Sequence, residues 1–493
     1  MKSLALKIIL FISSLALAPG WGTFMKAGAA SQLPSTLIHS SIQYEGPDGD
    51  TSDETLTGFT IYLPLITKNS HYIPIFGIEA RSRLDKVAEA GNAWLRINLQ
   101  LRWADIQPLQ NGAYDWTKAA AVEAAILEAN QHNLTPILVV HAVPVWARKY
   151  ADKACGPIKS DALNAFAEFM RQATQRYSPS PYNVKFYQIW NEPDAPVNPS
   201  NGDSQFGCWG EVSYLYDPYF GGEYYGEMLS RVYPAIKSAN PNAQVMLGGL
   251  LLDCDPTNIG PGYCADLQQA RQWNFFEGVV KRAANYFDIA AFHGYAYYQA
   301  GKNPVWSEKS ALKWFANGGV VDGKIKYLQG VMARYGVNKP IVLTEGAILY
   351  GDATPSPQYE AHKADYIVWL FANTWAQGLK GTMWYSMEGW RGSGMFDSLG
   401  QPTPAFLALK NMTTLLSPAE YLARENASGY TKFIYRTADK NIWLLVPTGE
   451  FYGVTNTIAK PTSFDKALDL FGNEVSFAGD IQFTRPIYVI LNR

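Results

Sequence analysis

Between about Ile75 and Met412, short apolar runs alternate with amphipathic stretches, the pattern of strands alternating with helices. The runs predict strands at Phe76–Glu79, Ala93–Asn98, Thr135–His141, Lys185–Trp190, Gln244–Leu250, Phe287–His293, Pro340–Glu345 and Gly381–Tyr385. Helical periodicity lies between them. From Ser160 to Tyr177, for example, Leu163, Phe166, Met170 and Ala173 fall on one face, and Ser160 is placed to cap the start. Eight such repeats predict an α/β fold, a (β/α)8 TIM barrel. A doubly wound open sheet is the alternative, but no Gly-rich phosphate loop follows the first strand. After Pro418 the pattern becomes strand-like, at Phe433 to Tyr435, Ile442 to Val446, Ala467 to Phe471 and Pro486 to Leu491, with a turn at Gly472-Asn473.

The expected organisation is therefore a barrel over 73–415 and a small all-β, sandwich-like domain over 416–493. Residues 31–72 are polar apart from Ile61 to Ile66, and read as a linker or as a strand donated to the β domain. In residues 1–30, Lys2 and Lys7 precede an apolar stretch, Ile8 to Leu17, too short to span a bilayer comfortably. This predicts a signal peptide and a secreted or extracytoplasmic protein, with an uncleaved anchor as the alternative.

Two of the apolar runs lead into a carboxylate that is followed at once by Pro or Gly: Gln188-Ile189-Trp190-Asn191-Glu192-Pro193 and Ile341-Val342-Leu343-Thr344-Glu345-Gly346. Pro193 and Gly346 are expected to turn the chain out of the sheet just there. Parallel α/β folds carry their chemistry at the carboxyl ends of strands. A carboxylate closing an apolar strand must be paired or functional. Two facing one cleft are the minimum equipment for cleaving a glycosidic bond. The other predicted strand ends bring Arg96, His141, Asn191, His293, Tyr295 and Trp384 to the same face.

Composition narrows the function classes. A hydrophobic fraction of 47% with 17% charged residues describes a folded chain, and a net charge of −2 gives no electrostatic case for nucleic acid. Only 6 His occur, none at metal-ligand spacing, so no metal and no cofactor is expected. Aromatic residues make up 14% of the chain, which serves a large core or stacking platforms for sugar rings. Four cysteines in an exported protein suggest disulfides, with Cys254–Cys264 and Cys155–Cys208 the favoured pairing of three.

Trp190-Asn191-Glu192-Pro193 on the fourth predicted strand and Thr344-Glu345-Gly346 on the seventh resemble the signatures of glycoside hydrolase clan A. With Arg96, His293-Gly294-Tyr295 and Trp384 in the expected order, the resemblance spans the barrel. The β region is similar to enzymes of glycoside hydrolase families 39 and 5. The resemblance implies a retaining β-glycosidase acting on a β-linked oligo- or polysaccharide of xylan, mannan or glucan type. Glu192 would be the acid/base and Glu345 the nucleophile. Arg96 would hold the nucleophile ionised, His293 or Tyr295 would orient it, Asn191 would meet the sugar 2-hydroxyl, and Trp384 would floor the glycone subsite. His141 is counted with the substrate-binding residues. Trp146, Trp306, Trp390-Arg391 and the aromatics of the 194–225 loop (Phe206, Trp209, Tyr214, Tyr216, Tyr219, Phe220) are candidate platforms. A non-catalytic carbohydrate-binding protein on such a barrel is the rival reading, and the presence of both glutamates argues against it.

Overall fold

The computed structural model describes residues 73–197, 207–211, 217–253, 274–300, 314, 317–351, 355–448 and 453–493. The predicted signal segment, the 31–72 region, the Cys254–Cys264 pair, Phe206, Tyr214, Tyr216 and Trp306 lie outside these residues. His71–Arg493 form one compact unit.

The parallel strands of the barrel are β1 (Phe76–Ala80), β2 (Trp94–Ile97), β4 (Thr135–His141), β5 (Phe186–Asn191), β6 (Gln244–Gly249), β7 (Ala290–Tyr297), β8 (Ile341–Leu349) and β9 (Gly381–Trp384), with a two-residue β3 (Leu101–Arg102) against β4. The helices are α1 (Leu84–Glu89), α2 (Trp103–Ile106), α3 (Ala120–Gln131), α4 (Leu163–Tyr177), α5 (Gly222–Ala239), α6 (Asn274–Ala283), α7 (Val320–Arg334), α8 (Pro357–Ala376) and α9 (Pro404–Leu416). Strand pairing runs β6-β5-β4-β2-β1-β9-β8-β7, and bridges Met246–Ile289 and Leu250–Phe292 close the ring between β6 and β7. All eight expected strands are present, giving the (β/α)8 barrel.

The barrel floor is a plug of Trp94, Ile137, Phe186, Met246, Ala291, Val342 and Met383, drawn from seven strands, with Ile289 just before β7. The eighth, β1, contributes Gly77, because a Cβ there would lie 2.7 Å from that of Trp94. Strand side chains repeat every two residues, so positions two further on rise one layer towards the carboxyl face. That step converts Gly77 to Glu79, Trp94 to Arg96, Ile137 to Val139 and Phe186 to Gln188. An apolar plug thus supports a polar layer, and the alternation in sequence produces both.

Three local expectations are corrected. Gly346 does not end its strand: β8 runs on to Leu349 and β7 to Tyr297, with register shifts at Phe292/His293 and Leu343/Gly346. Glu345 and His293 are therefore mid-strand, and the irregularities re-aim their side chains without breaking the ladder. Ser160 is not an N-cap. It opens a 3-10 turn (Ser160–Ala162), and α4 starts at Leu163 with the predicted apolar face buried. The expected strand at Ala467 to Phe471 lies earlier, at Phe464–Leu468, because Asp469 accepts N–H groups of Phe471 and Asn473 and turns the chain.

Beyond α9 follow β10 (Glu420–Asn426), β11 (Tyr430–Arg436), β12 (Lys440–Pro447), β13 (Asn456–Ile458), β14 (Phe464–Leu468), β15 (Glu474–Val475), β16 (Ile481–Phe483) and β17 (Ile487–Asn492). Six form one antiparallel sheet, and β13 pairs with β16. The region packs on α8: Tyr435 lies 5.2 Å from Trp375, and Arg485 binds both oxygens of the buried Asp365.

Candidate active site

The polar layer converges on Arg96. Register pairs it with Glu79 across β1 and β2. Its Nε donates to Gln188 Oε1 at 2.9 Å, its Nη2 to Asn191 Oδ1 at 2.6 Å, and its Nη1 both to Glu79 Oε2 and to Glu345 Oε1, the latter at 2.5 Å. Burial opposes a charge on the guanidinium, but Glu79 and Glu345 outweigh it and the pKa of Arg96 is raised. The hydroxyl of Tyr295, on β7, donates to Glu345 Oε2. Both oxygens of Glu345 are thus held by donors from other strands.

Glu192 follows β5, where the backbone leaves the regular strand: Trp190 and Glu192 take φ of 76° and 47°. Such left-handed positions persist only where surroundings hold them. Here the Tyr225 hydroxyl, from α5, donates to Ile189 O at 2.5 Å and accepts the Gly248 N–H, and the Trp190 indole N–H donates to Cys155 O. The predicted Cys155–Cys208 disulfide is present and ties the loop after β4 to the loop after β5. Burial pushes the Glu192 carboxyl up to about 7, against Arg96 and Lys324, with Asp253 adding to the rise.

His293 lies between the two carboxyls, its Nδ1 2.8 Å from Glu192 Oε1 and its Nε2 3.4 Å from Glu345 Oε1. Burial, aided by Arg96 and Lys324, drives its pKa down to about 3, so the ring is neutral. The ligand-type atoms of Glu192, His293 and Glu345 all fall within 4.8 Å of one another. That convergence fits a cation poorly, because a buried guanidinium already sits on Glu345 Oε1.

A cavity of about 550 Å³ opens over these groups, lined by Glu79, Arg96, Asn191, Glu192, Tyr295 and Glu345, with Asn98, Asp253, Tyr297, Tyr385 and Trp390 further out. Tyr297 and Trp390 are about half exposed at its mouth, and Arg391 lies over both rings. Of the residues expected from sequence, Glu192, Glu345, Arg96, Asn191 and Tyr295 therefore meet at one cavity, while His293 lies just beneath its wall. His141 and Trp384 do not reach it. His141 is buried 5.0 Å from the Trp190 ring, and Trp384 is buried with its indole N–H on Ser393 O. Tyr385 and Trp390, immediately beyond the strand, face the cavity instead. Trp209 and Phe220 are core residues, not platforms. Glu79, Gln188 and Tyr385 were missed; the one signal for Glu79 was a carboxylate in an otherwise apolar first strand.

A barrel with two carboxyls converging at its carboxyl face is the architecture of clan A glycoside hydrolases. Residues 56–377 match the model of cellulase (glycosyl hydrolase family 5), and the chain belongs to that family. Its fold is similar to that of a family 39 glycoside hydrolase from the gut symbiont Bacteroides cellulosilyticus WH2 (15% identity, 85% of this chain and 81% of that one, TM-score 0.60). It is also similar to a conserved exported protein from Bacteroides fragilis (13%, 85% and 98%, TM-score 0.58) and a family 30 endoxylanase from Clostridium papyrosolvens C71 (12%, 86% and 97%, TM-score 0.53). No curated protein matches it.

Proposed function

We propose that this glycoside hydrolase is a secreted, retaining enzyme that cleaves β-linked glycosides or polysaccharides by double displacement, with Glu345 as nucleophile and Glu192 as acid/base. The observation that carries the reading is the separation of the two carboxyls, with one oxygen of each within 4.8 Å. Retaining enzymes hold their carboxyls about 5 Å apart, whereas inverting ones leave about 6.5–9.5 Å for a water. The environments divide the roles. Glu345 sits on a guanidinium and a phenol, which suits an anion; Glu192 is raised to about 7, which suits a proton donor near neutrality.

In this reading Glu345 attacks the anomeric carbon while Glu192 protonates the leaving oxygen; Glu192 then takes a proton from the water that releases the sugar. Neutral His293 has one N–H. Placed on Nε2, facing Glu345, it leaves Nδ1 to accept from protonated Glu192. Asn191, its carbonyl oxygen engaged by Arg96, keeps its amide N–H groups for a sugar hydroxyl, and Trp390 offers an exposed ring for stacking.

Secretion is supported by the charged-then-apolar N-terminus and by the Cys155–Cys208 bridge, a bond that persists in oxidising compartments. Among the described residues no helix is long and apolar enough to cross a membrane. The activities named for the relatives, cellulase and endoxylanase, support a glucan- or xylan-type substrate.

The test is turnover of aryl β-glycosides and β-glycans by the wild type, Glu192→Ala and Glu345→Ala, with and without azide. Each substitution is expected to cost about 10²–10⁴-fold or more in kcat. Azide is expected to yield a β-glycosyl azide from Glu192→Ala and the α-anomer from Glu345→Ala. Wild-type activity surviving either substitution would refute the two-glutamate assignment.

A further inference from the structure

Glu79 has no part in the two-carboxyl scheme, yet it stands in the same polar layer with a side chain only 3% exposed. It leans on the same nitrogen that serves Glu345: Arg96 Nη1 donates to Glu79 Oε2 and to Glu345 Oε1, while Nε and Nη2 are committed to Gln188 and Asn191. One unit of positive charge is thus divided between two buried carboxyls. Among the described residues, a further carboxyl and two phenols also face Glu79. Glu388 faces it from the chain after β9, with its Oε1 engaged by the N–H groups of Arg81 and Ser82 and by the Ser82 hydroxyl. Tyr295 and Tyr385 face it with phenols that burial keeps protonated, and Glu192 stands across the cavity.

We propose that Glu79 is a positioning residue for the reaction, competing with Glu345 for the Arg96 guanidinium and so keeping the nucleophile's charge only partly neutralised. The inference rests on Glu345 being the nucleophile, as proposed above. A carboxylate fully neutralised by an ion pair is a poor nucleophile, and one left without a cation in a buried site would take up a proton. Division of Arg96 between two partners sets a point between those limits. Burial, with Glu345 and Glu388 adding to it, pushes the Glu79 carboxyl well above its usual range against the pull of Arg96.

The experiment is the pH dependence of kcat/KM and kcat for wild type, Glu79→Gln and Glu79→Asp, with Glu345→Ala in the same assay. The amide of Glu79→Gln keeps the shape and still accepts from Arg96, but leaves the whole guanidinium charge to Glu345. The acid limb, where the nucleophile loses its charge, is expected to move down by about one pH unit in Glu79→Gln. Proton affinity and nucleophilicity fall together, so kcat drops by up to about tenfold, with KM little changed. Glu79→Asp, a charge withdrawn by one methylene, is expected to place the limb between the two. If Glu79→Gln does not fold by circular dichroism, the Asp variant decides, and its limb must lie below that of the wild type. A limb that coincides with wild type in every folded variant overturns the inference, even if KM rises, since that is the result of a simple sugar contact. Glu345→Ala separates the two readings: retained activity there refutes the nucleophile assignment, whereas an inactive Glu345→Ala with an unmoved Glu79→Gln limb refutes this inference alone.

Discussion

At the scale of single residues, the site works by distributing few charges among many acceptors. In the proposed mechanism Glu192 must be protonated to act, and its carboxyl is raised to about 7 by burial. Its protonated fraction, and with it kcat/KM, is therefore expected to fall as pH rises through about 7; a pH–rate profile flat to pH 9 would contradict this. Tyr295→Phe removes one donor to Glu345 and little volume. Hydrogen bonds to charged groups are worth about 1.5–3 kcal/mol, so kcat is expected to drop about 10- to 100-fold in steady-state assays, with the thermal midpoint nearly unchanged. Glu192 and Glu345 were legible in the sequence because each follows an apolar run and is itself followed at once by Pro or Gly, a break that Glu79 lacks. Glu79 was not, since a lone Glu beside Phe76-Gly77-Ile78 acquires meaning only when the β1–β2 register sets it against Arg96. Trp384 was misplaced for a related reason: whether an aromatic near a strand end faces the lumen or the helices depends on where the chain turns, and Tyr385 and Trp390 took the cavity.

At the scale of elements, the kinked end of β5 depends on close packing from the following loop. A Cβ on Gly207 would fall 2.2 Å from Asn191 O and 2.6 Å from Glu192 O. These are backbone atoms that cannot swing aside. Gly207→Ala is therefore expected to cost about 1–3 kcal/mol in denaturant unfolding and to lower kcat by displacing Glu192. The neighbouring bridge closes a 53-residue separation. Replacing Cys155 and Cys208 together by alanine is expected to cost about 2–5 kcal/mol, seen as a lower thermal midpoint. The existence and order of all eight barrel strands were readable from apolar runs. The lengths of β7 and β8 were not, because the register shifts that carry them past His293 and Glu345 arise between strands and leave no mark on either one.

At the scale of the whole molecule, the β region after α9 covers α8. Asp365 is fully buried, and Arg485, reaching over from the segment between β16 and β17, is its cation. Arg485→Ala takes the guanidinium away from that buried carboxyl, a change expected to cost about 3–5 kcal/mol in chemical denaturation while the kcat of the folded protein stays close to wild type. Residues 73–415 expressed alone would bare Trp375 and Asp365. We expect such a fragment to aggregate or bind an apolar dye, whereas a soluble, cooperatively unfolding fragment would mark 415/416 as the border of an independent domain.

The amino-acid sequence by itself determined the alternation of strands and helices, the barrel it closes into and the two carboxyls that stand at its cavity. Those follow from local rules: burial on a period of two or 3.6, and the cost of a charge set against an apolar run. Only the tertiary structure decided that Glu79 shares Arg96 with Glu345, that neutral His293 spans both carboxyls, and that Trp390 rather than Trp384 borders the cavity. Each of these depends on registers and distances between segments up to about 300 residues apart in the chain, and no single stretch of sequence holds both partners.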